Sequence, residues 1–394
     1  MREGWTTSKV QDILVKTETI NPTKTPNKEF TYIDISGVNN QSFSIEATTH
    51  LRGKDAPSRA RKLIKTNDII FATVRPTLRR IAIVPKNLND QVCSTGYFVL
   101  RPKSGIHYKF LFYYLQLDEF NVQMEKLQRG TSYPAVTDGD IRNQEIYYPN
   151  DFSEQHRIVA LLDEAFAAIA KARANTEKNL LNAKQLFKSY LEGAFINLGE
   201  NWQEKQLGEV CEFQNGQAHE KEIDENGKYI LVNSKFISTE GEIYKRTDSL
   251  LSPLNKGDIV MVMSDVPNGK ALAKCFLIDQ NNTYTLNQRI CVIRSKNFEN
   301  RFLFFQLNRH KYLLSFNNGE NQTNLRKNDI LSCPLFIPPL EIQNDTISKL
   351  DSIQAETKKL EAHYLQKLAN LEELKKSILQ KAFRGELTEK EIVV

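Results

Sequence analysis

Between Arg52 and Arg80 the chain carries nine basic residues, Arg52, Lys54, Arg59, Arg61, Lys62, Lys65, Arg75, Arg79 and Arg80, against two acidic ones, Asp55 and Asp68. The local excess of seven is larger than the net charge of +5 over all 394 residues. A surplus concentrated in this way points to a polyanionic partner. The run Arg75-Pro76-Thr77-Leu78-Arg79-Arg80 predicts a strand that leaves its sheet, turns at Pro76 and presents three guanidinium groups in a tight cluster beside the Thr77 hydroxyl. The planar fork of arginine matches a phosphate and also the acceptor edge of guanine in the major groove. The plainer alternative is a solvated loop with scattered salt bridges. A second short polar stretch, Arg129-Gly130-Thr131-Ser132-Tyr133, is flexible at its glycine and could serve the same partner.

The second half of the chain replaces cations with amides. Over Arg246 to Lys274, four basic residues (Arg246, Lys256, Lys270, Lys274) meet three acidic ones (Asp248, Asp258, Asp265). Asn268 and Lys270 lie in this window, followed by Asn287-Gln288-Arg289. Then comes a loop containing Asn318, Asn321, Gln322 and Asn324 ahead of Arg326. Asn and Gln pair bidentately with adenine edges, so these residues are the candidate base readers of the second half. A loop rich in Asn is also simply a good turn former. Two related but unlike loops suggest two unlike half-sites.

Catalytic patterns are missing. The chain has no Asn-Pro-Pro-aromatic tetrapeptide of the amino-methyltransferase kind; its Pro338-Pro339 sits in Ile-Pro-Pro-Leu and reads as a connector. It has no G-x-G-x-x-G, and Gly269-Lys270 lacks the flanking residues of a phosphate-binding loop. Five scattered cysteines and six scattered histidines offer no ligand spacing, so no metal and no disulfide are expected. The chain should bind no cofactor and catalyse nothing alone. No apolar run approaches a membrane span and the N-terminus lacks a signal-peptide core, which predicts a cytoplasmic protein with no membrane partner.

Which elements position these loops? From Gly4 to about Tyr148 short β-like runs alternate with loops: Tyr32–Ile35, Asp68–Val74, Ile81–Val84 and Tyr97–Leu100, with one amphipathic helix expected from about Tyr108 to Leu127. A long helix free of proline then runs from Glu154 to Ile196, a rod of roughly 60 Å. Its apolar positions recur at the 3.5-residue spacing of a coiled-coil seam: Ile158, Leu162, Ala165, Ile169, Ala172, Thr176, then Asn179, Ala183, Leu186 and Tyr190. After it the text repeats. Trp5 matches Trp202, Asp68-Ile69-Ile70 matches Asp258-Ile259-Val260, Gly130 matches Gly319, Asp140-Ile141 matches Asp329-Ile330, and Pro149 matches Pro338. A second rod, Gln343 to Gly385, carries bulk at the equivalent phase: Leu350, Ile353, Leu360, Tyr364, Leu371, Leu374 and Ile378. Small against large predicts an antiparallel pairing with Ala172 near Tyr364 and Ala165 near Leu371.

The expected architecture is α+β: two mixed α/β domains at 1–152 and 198–340 alternating with two long spacer helices at 153–197 and 341–388. The helices pair as an antiparallel coiled coil in a pseudo-two-fold symmetric molecule.

The chain resembles the DNA specificity subunits of type I restriction-modification systems. The residues that carry the resemblance are Gly130-Thr131-Ser132-Tyr133-Pro134 with Asp140-Ile141, the approach from Pro149 to Gln155, Leu161-Leu162-Asp163, and Lys188-Ser189-Tyr190-Leu191 with Ala194-Phe195. Second copies stand at Pro338 to Gln343, Leu350-Asp351 and Lys376 to Leu387, although the second loop reads Gly-Glu-Asn-Gln-Thr where the first reads Gly-Thr-Ser-Tyr-Pro. The resemblance implies two target recognition domains, each reading half of a split, asymmetric sequence in double-stranded DNA, with the helices as ruler. It further implies docking of two methyltransferase (modification) subunits, which supply S-adenosylmethionine chemistry, and of restriction subunits that form a nuclease using ATP and Mg. A coiled-coil scaffold for proteins, or a stand-alone DNA-binding regulator, remains an alternative reading of the residues.

Overall fold

The computed structural model describes residues 3–195, 202–219, 222–267, 269–296 and 298–387. The chain divides into two compact units, Met1–Glu177 with Leu365–Val394, and Lys178–Tyr364. Each long helix, Phe152–Ala194 and Leu340–Arg384, therefore contributes part of its length to each unit.

In the first unit the uninterrupted apolar runs become central strands. Ile69–Ala72 pairs antiparallel with Tyr97–Pro102 on one side and with Ile81–Ile83 on the other, and Leu14–Val15 completes that sheet. A second four-stranded sheet sets Glu29–Ile33 between Thr49–Arg52 and Gln91–Ser94, with Ala60–Ile64 outermost. Every residue from Ile69 to Ala72 and from Tyr97 to Leu100 is buried, which is why these runs lack the polar alternation of a half-exposed strand. Trp5–Lys9 pairs with Glu145–Pro149, Trp5 opposite Pro149, and so closes the domain at the point where the chain turns into the long helix.

The single helix expected over 108–127 is two helices, Tyr108–Tyr114 and Asp118–Leu127. Leu117 is extended, with ψ at 142°. Asp118 and Glu119 then open a new first turn, where acidic residues favour the helix dipole, and the Asn121 amide donates to the Leu117 carbonyl.

The long-helix segments of this unit share one core with the domain. Ile158, Leu162, Ala165 and Ile169 are buried together with Leu371, Ile378, Ala382 and Phe383, and with Phe110 and Leu111 of the domain. The Phe383 ring lies 4.9 Å from Phe110 and 5.5 Å from Tyr114. Arg173 forms an ion pair with Glu372, and Lys375 lies over the Phe166 ring at 5.2 Å. Ala172 therefore lies beside the Leu371 turn rather than near Tyr364, about two turns from the expected register.

The second unit repeats the strand order. Ile259–Val262 lies between Ile290–Ser295 and Cys275–Leu277, with Cys211–Asn215 at the far edge. Tyr229–Val232 lies between Lys245–Thr247 and Tyr284–Leu286, and Gln203–Gln206 pairs with Pro334–Ile337. The same fixed points recur. Asp68 is buried and receives a two-pronged Arg101 guanidinium at 2.7 and 2.8 Å; Asp258 receives Arg294 at 2.9 and 2.8 Å. At the start of the first long helix, the buried Gln155 amide donates to the Pro149 carbonyl and its oxygen accepts from the His107 N–H. Gln343 does the same with the Pro338 carbonyl and the Glu299 N–H. Left-handed backbone recurs in step at Asn67 and Gly257, Asp90 and Asn282, and Gly130 and Gly319.

The seam is corrected at four of its positions. Leu186 is 52% exposed and Leu360 38% exposed. Asn179 and Tyr190 also face outward. The expected Thr176 and Ala183 do stay inside on the first helix, joined by the half-buried Phe187, and Leu350, Leu371 and Ile378 stay inside on the second, joined by Thr357. Each seam is two lines of seven-residue spacing: the lines through Ile169, Thr176 and Ala183 and through Leu350, Thr357, Leu371 and Ile378 stay inside, while those through Asn179 and Leu186 and through Leu360 turn outward. The two buried threonines satisfy their hydroxyls within the helix, Thr176 on the Ala172 carbonyl at 2.7 Å and Thr357 on the Ile353 carbonyl at 2.9 Å.

All five cysteines are buried and unbridged, and burial raises each thiol, Cys93 to about 12. Among the described residues no cluster could hold a metal ion, and no helix is long and apolar enough to cross a membrane.

Candidate nucleic-acid interface

The basic stretch does not stay together. Lys62 is drawn inward to Asp138 at 2.8 Å and over the Phe98 ring, Arg52 reaches Glu29 at 3.3 Å, and Arg61 donates to the Ala60 carbonyl. Lys54, Arg59 and Thr77 remain exposed. The expected cluster at 75–80 is opened by the turn itself: Pro76–Leu78 is a single 3-10 turn flanked by Arg75 and Arg79, both left-handed at φ 50° and 52°. That geometry sends three guanidiniums to three places. Arg79 pairs with Asp118, half-buried Arg80 donates to the Ile35 carbonyl, and only Arg75 is exposed.

Arg75 meets the second candidate stretch. Its N–H donates to the Pro134 carbonyl at 2.7 Å and its guanidinium to the Ser132 carbonyl at 3.2 Å. The guanidinium lies 4.8 Å from the centre of the Tyr133 ring. The loop is stitched at its base by bridges from Ala135 to Val74 and to Arg129, and by the Val136 N–H on the Thr73 carbonyl. Arg129 reaches both oxygens of Asp140 at 3.1 and 3.2 Å. Asp140 in turn caps the helix Asp138–Arg142 reciprocally with Thr137. The Thr137 N–H and hydroxyl, then Arg129, hold the Asp140 carboxyl below the usual carboxylate range. Thr131, Ser132 and Tyr133 are exposed. Sequence reasoning found both stretches; it did not find that they form one surface.

In the second unit the equivalent strand edge pairs Ser264 with Asn324 and Asp265 with Thr323, and the Leu325 N–H donates to the Met263 carbonyl. By this correspondence Asp265 stands where Arg75 stands, and its carboxylate is taken by the N–H groups of Val266, Ala271 and Leu272. Asn318 acts as a turn former, its side chain accepting from the Glu320 and Asn321 N–H groups. Asn321, Gln322, Asn324 and Arg326 are exposed around a concavity of about 370 Å³ that also includes Phe316. The structure does not gather the other candidates there. Asn287 is buried, whereas Lys270, Gln288 and Arg289 are exposed elsewhere on this unit. Asn268 lies outside the described residues.

What the two surfaces share is a pair of stitched loops with exposed polar side chains and no catalytic constellation among the residues placed there. The family model described as the type I restriction modification DNA specificity domain matches twice, over residues 2–179 and 199–370. Two curated relatives are specificity subunits. The HindI subunit of Haemophilus influenzae is 27% identical over 179 residues, 43% of this chain and 34% of the relative. The MjaIX subunit of Methanocaldococcus jannaschii is 23% identical over 184 residues, 43% of this chain and 42% of the relative. These alignments therefore span less than half the length of either curated relative. Solved structures match along the whole chain. One, from work on complex assembly and conformational transition of the type I R-M system, has a TM-score of 0.88 at 28% identity, covering 98% of this chain and 99% of that one. The HsdS subunit from Thermoanaerobacter tengcongensis has a TM-score of 0.67 at 28% identity, covering 98% of each chain. With both halves matched and their strand orders duplicated, the chain belongs to the type I restriction-modification DNA specificity family.

Proposed function

We propose that this protein is the DNA-reading subunit of a type I restriction-modification complex, without catalysis of its own. Each domain reads one half of a bipartite, asymmetric target in double-stranded DNA. The observation that carries the reading is the duplication of the whole domain with an unlike reading loop in each copy: a cation and an aromatic ring at Arg75 and Tyr133, amides at Asn321, Gln322 and Asn324. Identical loops would read a symmetric site; unlike loops read an asymmetric one.

The two long helices form the spacer. We read them as an antiparallel coiled coil in a pseudo-symmetric chain, supported by the descending order of partners Phe166 with Lys375 and Arg173 with Glu372. On this reading two methyltransferase subunits dock on the helices and bring S-adenosylmethionine, and restriction subunits bring the ATP- and Mg-dependent nuclease, all in the cytoplasm. Co-expression with candidate modification subunits, followed by sequencing of methylated genomic DNA, tests the assignment. Replacing residues 5–148 by the matching segment of a relative should change one half of the methylated sequence only. A change in both halves, or in neither, would reject it.

A further inference from the structure

The first reading loop carries an exposed aromatic ring. Tyr133 is 71% exposed, the largest exposure among the large hydrophobic side chains of the described residues. Its open face is apolar area that a partner can cover on binding. One face already has a neighbour, the Arg75 guanidinium at 4.8 Å. The backbone beneath is fixed from both sides: Arg75 N–H on the Pro134 carbonyl, Arg129 bridged to Ala135, and Val136 N–H on the Thr73 carbonyl. Arg75 holds this position at a positive φ of 50°, a conformation that a residue with a side chain keeps only where its surroundings enforce it. The ring is thus presented on a pre-ordered loop, so little freedom is lost when it is covered.

Resting on the DNA-reading function proposed above, we infer that Tyr133 is a stacking wedge: its open face packs against a base at one step of the first half-site, opening that step, while Arg75 clamps the ring from behind and neutralises the adjacent phosphate. The surroundings commit the surface to DNA. Arg75 supplies positive charge against the ring, Arg129 stands at the base of the loop with its guanidinium on Asp140, and the 129–135 stretch itself contains no carboxylate. An aromatic face stacks on any base, and a side chain inserted at a step unstacks it in return for closer backbone contact. The second domain lacks this arginine–ring pair at the corresponding positions. Asp265 replaces Arg75 there, and its carboxylate is already satisfied by three N–H groups. The two half-sites are therefore read by different physics, stacking in the first and amide hydrogen bonds in the second.

The experiment uses the full chain and a duplex selected by it from a random pool. Permanganate reactivity of thymines and fluorescence of 2-aminopurine placed at adenines report unstacking along the duplex. Wild-type protein should expose one step in one half-site only. Tyr133→Ala should abolish that signal and weaken binding by on the order of tenfold, with the dependence on salt concentration unchanged and the thermal midpoint retained. Tyr133→Phe should behave as wild type, because the ring and not the hydroxyl stacks. Arg75→Ala should lose both the signal and about one unit of the salt slope. If Tyr133→Ala keeps the unstacking signal and the affinity while Arg75→Ala weakens binding, the wedge is wrong and DNA reading stands. If no duplex is selected at all, both fall together.

Discussion

Arg101 shows how a single side chain fixes this fold. Its guanidinium grips Asp68, which is 1% exposed, through two nitrogens and reaches Glu18 with a third at 2.8 Å. The Asp68 carboxylate also accepts the Lys65 N–H, so it ties strand Ile69–Ala72, strand Tyr97–Pro102 and the turn before them into one knot. Arg101 and Lys65 hold Glu18 at about 2, below its ordinary 4.5. A carboxyl whose folded value is depressed contributes stability above its unfolded value and loses it as pH falls through the folded one. Glu18→Gln should therefore flatten the decline in stability between pH 4.5 and about 2, read by chemical denaturation across that window. Arg101→Ala leaves the buried Asp68 carboxylate without its counter-charge and should cost about 3–5 kcal/mol, far more than the exposed Glu18 change. Equal effects would show that the knot is not organised around Asp68. None of this was legible in the sequence, although both aspartates stood in strands recognised as repeats. The arginine lies 33 positions away, and only the strand register brings it across.

At the scale of elements, the long helices were readable because their length, lack of proline and apolar spacing are local properties. Their buried faces were not fully readable. The expected seam held Leu186 and Leu360 as well as Thr176 and Ala183; the two leucines lie outside, whereas Thr176, Ala183 and the unexpected Thr357 lie inside. Composition hides this, since leucine looks like core and threonine does not until its hydroxyl is seen bonded back to the helix. The strands were legible for the opposite reason: runs such as Ile69-Ile70-Phe71-Ala72 are buried on both faces and need no phase. The break at Leu115–Leu117 was missed because no proline or glycine marks it. A substitution series separates the two versions of the seam. Leu162→Ala and Leu371→Ala should each destabilise by about 2–5 kcal/mol. Leu186→Ala and Leu360→Ala should stay within about 0.5 kcal/mol. Thermal or urea unfolding of the four variants decides it, and a cost above about 2 kcal/mol at Leu186 or Leu360 would return those leucines to the buried seam.

For the whole molecule, the reading loops were legible as chemistry and not as geometry. The three arginines of 75–80 were a cluster in the sequence, and the left-handed turn scatters them to Tyr133, Asp118 and Ile35. The proposed function divides the labour at this scale: domains choose bases and helices choose distance. That division is separable by length alone. Seven residues inserted at matching points of both long helices preserve the phase of the buried face while lengthening each helix by roughly 10 Å. B-DNA rises 3.4 Å per base pair, so half-sites fixed to the ends of such a spacer should move apart by about three base pairs. The bases within each half should not change, because neither stitched loop is touched. Inserting four residues instead rotates the downstream face by about 40° and should weaken pairing before it shifts the spacing. Sequencing of methylated sites from cells carrying each variant with its modification subunits reads both quantities at once. An unaltered gap with the seven-residue insertion would mean that the distance is set by the partners, and the helices would then be docking surfaces only.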